Sequence, residues 1–191
     1  MKTSPADLLN SYITDMLALE AHIEKAISAQ MNDLDDEEPE FAAAMQHAHA
    51  MIASHMTRLG LVAESRGIGG GSAVVGGVKK VVSKVAGLGA AAVDLVRREK
   101  LPKDIRDDNA AFRLAEVGYG MLHTSAMVLD DDGEVRELAL QHMRDYANLA
   151  MSFRELAPAS VLRYLEKVGY QVSEELLARV LEAQRDESAA R

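Results

Sequence analysis

The chain contains no cysteine and no tryptophan in 191 residues. The missing thiol excludes cysteine-ligated zinc, iron–sulfur clusters, covalently attached haem and any thiol nucleophile. Aromatic residues are scarce at 4%, so the 48% apolar fraction rests on Ala, Leu, Val and ten Met. A composition of this kind favours helices over sheets. Long apolar runs are missing too: the longest stretches free of both charge and histidine, 67–78 and 85–93, fall far short of the ~20 residues of a spanning helix. A formal charge of −9 argues against nucleic acid as a partner of the whole surface. No basic, then apolar, then small-residue leader is recognisable at the start, which makes a cytoplasmic chain the expectation. What is present suits one soluble, acidic, helical domain with or without an appendage, large enough to bury roughly 70% of its extended surface.

Helix signals are clear along the chain. Ser4, Pro5 and Asp7 provide a cap, a first-turn proline and a first-turn acid, so a helix starts near residue 5. Its stripe, Leu9, Tyr12, Ile13, Met16, Glu20, Ile23 and Ile27, runs to about Gln30 at helical spacing. Residues 32–40 hold six acids and read as a solvated loop. A second stripe follows with Phe41, Met45, Ala48, Ile52, His55, Leu59 and Val62, and Gly67 stands where a C-terminal cap belongs. A third long helix is expected between the Asp107-Asp108-Asn109 turn and about Leu129. Leu114, Val117, Met121, Leu122 and Val128 occupy one of its sides, with Phe112, Glu116, Tyr119 and His123 on the neighbouring one. The fourth spans about 134–156, with Val135, Leu138, His142, Tyr146, Leu149 and Phe153 on its stripe, and Pro158 marks its boundary. Two short helices, about 159–167 and 174–185, close the chain, the second capped by Ser173.

Residues 66–106 differ in kind. They hold eight of the 13 glycines and nine Lys or Arg against three acids. Val74, Val75, Val78, Val81, Val82, Val85, Leu88, Ala92, Leu95 and Val96 keep helical spacing there, with Lys79, Lys80 and Lys84 off the stripe; two short strands around Gly76 and Gly77 are the alternative, which the spacing and length weigh against. The expectation is a glycine-rich turn and then a basic amphipathic helix, which suits an anionic membrane surface, a protein partner, or the side of the chain's own bundle. Two helix pairs with short internal loops and a connection of about forty residues between them make a four-helix bundle with one long crossover. The expected division is a bundle over 1–157, including the insert, and a C-terminal helical extension over 158–191.

Every long helix also carries a metal-capable side chain on or beside its apolar stripe: Glu20, His55, Glu116, and His142 with Asp145. Buried carboxylates and imidazoles are costly unless paired, hydrogen-bonded or coordinated. Two explanations are therefore open, a bound ion or a hydrogen-bonded polar layer that sets helix register. No Ser-His-Asp order or phosphate-binding loop is found, since the glycine-rich 67–77 stretch lacks the lysine ending such loops need. The spacings of the histidine-rich oxygen-carrying bundles are absent, and Met at helical spacing reads as core filler rather than haem ligation.

The segments YITDMLALE at 12–20, HMTRLG at 55–60 and EVGYGMLH at 116–123, in a two-plus-two helix order, resemble the ferritin-like superfamily of di-iron carboxylate bundles, in particular its small bacterial stress-associated members. The resemblance covers about 5–157. It implies iron or manganese held in the bundle core by Glu20, His55, Glu116, His142 and Asp145, a metal-handling or oxidative-stress role, and a homodimer. The chain departs from the family's Glu-x-x-His pattern twice: Ile52 stands three residues before His55, and the fourth helix reads His142-x-x-Asp145. Those departures lower the affinity for a second iron and leave a mononuclear site or none.

Overall fold

The computed structural model describes residues 4–32, 39–68, 100–129 and 133–189. Among them every regular element is a helix: α1 (Pro5–Met31), α2 (Pro39–Ser65), α3 (Lys100–Leu129), α4 (Glu134–Lys167) and α5 (Glu174–Ala189). The acidic stretch 33–38 and most of the basic insert, 69–99, lie outside the described residues.

Side-chain contacts set the helix directions. Glu24 meets His49 and Glu20 meets His55, so α1 and α2 run antiparallel. Gln30 reaches Asp108 and Glu20 reaches Tyr119, which makes α1 and α3 antiparallel. Asn109 donates to the Ala150 carbonyl while Tyr119 packs on Tyr146, and α3 and α4 are antiparallel in turn. The helices form a square with α1–α2, α2–α4, α4–α3 and α3–α1 as its sides. Directions alternate up, down, down, up along the chain, and the long connection joins the two parallel, diagonal members.

Local signals explain the helix ends. Ser4 Oγ accepts from the Asp7 amide at 3.1 Å, satisfying one of the four amides that a helix start leaves free. At the end of α2 the Ile68 amide bonds back to the Ala63 carbonyl and the Gly67 amide to that of Glu64. Gly67 sits at φ +72°, the left-handed conformation this two-bond cap demands and side chains resist. The stripes of α1, α2 and α4 turn inward as their spacing predicts, with Leu9, Ile13, Ile23, Ile27, Met45, Ile52, Leu59, Tyr146 and Phe153 buried.

Three expectations need correction. The third helix begins at Lys100, before the Asp-Asp-Asn triplet. That triplet is helical because tertiary contacts hold it: Asp108 is buried against Gln30 and Asn109 bonds across to α4. Second, the core-facing side of α3 is Ile105, Asp108, Phe112, Ala115, Tyr119, Leu122 and Ala126, while Leu114, Val117, Met121 and Val128 are exposed. Third, α4 does not stop at Pro158 but continues through it to Lys167. Pro158 is buried there, and packing outweighs the one backbone bond that proline removes.

Asp108 has an unusual setting. Gln30 Nε2 donates to its Oδ1 at 3.0 Å, while Oδ2 and Gln30 Oε1 are buried without partners. Burial pushes the carboxyl up from 3.8 to about 7, helped by Asp104 and Asp107 and opposed by the Gln30 bond. A folded-state value above the unfolded one means the folded chain holds the extra proton between these limits, so stability falls as pH rises from about 4 through 7. At ~1.4 kcal/mol per unit the loss approaches about 4 kcal/mol. Asp108→Asn, which cannot ionise, is expected to raise the urea midpoint at pH 8 and to flatten its decline above pH 4. An unchanged pH profile in the variant would show that Asp108 is not the source.

Candidate metal centre

All four helices place polar groups at the middle of the core. Glu20 is fully buried on α1, His55 is 2% exposed on α2, Tyr119 is buried on α3, and His142 is buried on α4 with Tyr146 one turn on. Glu20 is the hub. Tyr119 donates its hydroxyl to Oε1 at 2.5 Å and Tyr146 donates to Oε2 at 2.8 Å. Burial first, and then the Glu20 charge and these hydrogen bonds, push both phenols far above their usual range. They remain protonated donors, and a carboxylate is the acceptor that can serve both.

The imidazoles lie beside this hub. His55 Nε2 is 3.1 Å from Asp145 Oδ2, and because a carboxylate only accepts, that nitrogen carries the proton. The other nitrogen, Nδ1, faces Glu20 Oε1 at 3.4 Å and has no hydrogen-bond partner. A proton or a cation between this nitrogen and the carboxylate oxygen would favour so close an approach. His142 Nδ1 is 4.0 Å from the same oxygen, and neither of its ring nitrogens has a partner. Burial, reinforced by His55 and Arg58, draws His142 down from 6.5 to about 2. It is therefore the neutral imidazole that binds metals. The His55 and His142 rings stack at 3.6 Å and 8°.

One ligand atom from each of Glu20, His55 and His142 falls within 4.8 Å of the others. Ligands bound to one ion at 2.0–2.2 Å stand roughly 3–3.5 Å apart, close to the 3.4 and 4.0 Å found from Glu20 to the two rings. The chemistry of the set, two imidazole nitrogens and a carboxylate, suits a divalent transition metal. The stack is the one feature unsuited to it. A nitrogen lone pair lies in its ring plane, so parallel rings in separate planes cannot aim at one point. His142, which no hydrogen bond holds, is the ring that must turn.

Of the five residues expected from sequence to hold metal, the structure brings together Glu20, His55 and His142. Asp145 is 27% exposed and sits behind His55, between it and Gln141, whose amide donates to Oδ1. There it holds the His55 ring in place and lies outside the group of three converging atoms. Glu116 is not part of the cluster: it pairs with Arg113 at 2.7 Å, and Ala115, four residues before Tyr119, takes the core position on that turn. Tyr146 is the member whose role sequence reasoning missed. A tyrosine one turn after a stripe histidine was the available signal, since a buried hydroxyl needs a partner. Histidines 22 and 47 are exposed, and His49 bonds Glu24 near the surface. Comparison with protein families, with curated proteins and with solved structures finds no match to this chain.

Proposed function

We propose that this chain is a ferritin-like helical bundle that binds one divalent transition-metal ion, iron or manganese, through Glu20, His55 and His142. The observation that carries the reading is the cluster itself: three ligand-capable groups from three helices, wholly buried, with three ring nitrogens left without partners. Buried imidazole nitrogens are seldom left unsatisfied in native proteins. The up, down, down, up order of the helices, with its long connection between α2 and α3, supports the family resemblance. A metal-handling or oxidative-stress role follows from that resemblance and from the oxygen and nitrogen ligands. An ion held there supplies Lewis acidity and, if iron, a one-electron couple. The chain's own residues define the setting: Asp145 fixes the tautomer of His55, Tyr119 and Tyr146 hold Glu20 in place, and the surrounding core excludes water.

A second reading is favoured by one observation. Both Glu20 oxygens already accept phenolic protons, so the group also works as a polar layer that fixes helix register without metal. In that case the chain is a non-catalytic interaction protein, meeting a membrane surface or a protein partner through residues 74–96.

Loading the purified protein with Fe(II) or Mn(II) without oxygen, removing loose ions and measuring metal by elemental analysis separates the two. About one ion per chain is expected, falling below a tenth in His142→Ala and unchanged in Glu116→Ala. Absence of stoichiometric metal in the folded wild-type protein would refute the first reading.

A further inference from the structure

The outward side of α3 has no cover among the described residues. Ala110, Leu114, Val117, Met121, Thr124 and Val128 are all exposed, with Leu114 and Val117 at 60% and Val128 at 80%. Their spacing, four, three, four, three, four, is that of a coiled-coil seam. The core-facing residues of the same helix follow a 3-4 spacing of their own. Phe112 and Leu114 lie two residues apart, about 200° around the helix, so α3 carries two seams on opposite sides and the bundle buries one.

A matching row exists in this chain's own sequence. Val74, Val78, Val81, Val85, Leu88 and Ala92 are spaced four, three, four, three, four, and read backwards they register residue for residue with the α3 row. Val74 then opposes Val128, Val85 opposes Val117, and Ala92 opposes Ala110. The ends of the described chain agree with that direction. Arg66 donates to Asn10, so the chain leaves α2 at the Asn10 end of the bundle. It returns at Lys100, near the opposite end, where Gln30 meets Asp108. The twenty residues of α1 between these points are roughly 30 Å long. Helical spacing over 74–96 corresponds to about 35 Å. A segment travelling from the Asn10 end to the Gln30 end runs antiparallel to α3, as the reversed register requires. Charge agrees as well, since residues 66–106 carry a net +6 on a chain whose other residues carry −15.

We infer that the outer seam of α3 is an internal docking face, and that its occupant is residues 74–92 of the same chain. Tethering at both ends places this segment at a high effective concentration over the seam, which favours it over a second copy or a foreign helix.

The absence of cysteine makes the test clean. In Val85→Cys/Val117→Cys, mild oxidation of dilute protein is expected to convert most of the thiol into a disulfide within one chain, seen as a monomer with a cross-linked tryptic pair. Val74→Cys/Val117→Cys, displaced by three turns and beyond disulfide reach, should stay reduced. The pair Leu88→Cys/Leu114→Cys repeats the test in the same register should the first variant fail to fold. Failure of both registered pairs to close in folded protein would overturn the inference, as would equal closure of the displaced pair. Efficient covalent dimerisation of Val117→Cys alone would assign the seam to a second copy and overturn it too.

Discussion

Glu20→Ala is expected to cost the fold about 3–5 kcal/mol, the range for removing one member of a buried polar cluster. The change leaves two phenols without an acceptor at the centre of the core, because Tyr119 and Tyr146 both donate to this carboxylate. It also opens a cavity among four helices. For a chain of this length the melting temperature should drop by on the order of 10 °C. Tyr119→Phe and Tyr146→Phe remove one charge-assisted bond each and should cost about 1.5–3 kcal/mol apiece. Their sum with Glu20→Ala should not be additive, since all three act through one group. Urea titration of metal-free protein is the suitable measurement. A Glu20→Ala loss below about 1 kcal/mol would mean that the carboxylate contributes little to the fold.

Phe153→Ala should be of similar size, about 3–5 kcal/mol, for a different reason. Phe153 is fully buried and meets the Phe112 ring edge to face at 4.8 Å, in a core where large aromatic rings are few. Its removal leaves a void between α3 and α4 that no neighbouring ring fills. The denaturant slope should be unchanged while the midpoint falls. Leu61→Ala, on a side chain that is 63% exposed, serves as the control and should stay within about 0.5 kcal/mol. Comparable losses in the two variants would contradict the core assignment.

The helical class, the extent of α1 and α2, and the burial of Glu20, His55 and His142 could be read from residue spacing. Those readings succeeded where a helix has one apolar side, because a single stripe leaves one orientation for burial. The third helix has two. Leu114, Val117 and Met121 are more conspicuous than Ala115 or Ala126, yet Tyr119, drawn to Glu20, decides which side faces in. Glu116 reads as part of the side of Phe112 and Tyr119, which does face inward, but it lies at the edge of that side and pairs with Arg113 instead. Asp107-Asp108-Asn109 has the composition of a turn, and Pro158 that of a helix end. In both cases contacts from residues distant in sequence outweigh a local preference of a few kcal/mol at most. Gln30 with Asp108, 78 positions apart, is a pairing that no local pattern announces.

The central cluster bears on the order of assembly. It draws on all four helices, and its hydrogen bonds to Glu20 come from α3 and α4, so none of them can be completed while only α1 and α2 are docked. Sliding α3 or α4 by one residue turns its side chains by about 100° and removes the tyrosine from reach. Misaligned bundles, equally apolar inside, therefore lack what the native alignment alone provides. Interactions completed last contribute little to the transition state for folding. The carboxylate is accordingly expected to act as a latch, with Glu20→Ala speeding unfolding more than it slows folding in stopped-flow measurements.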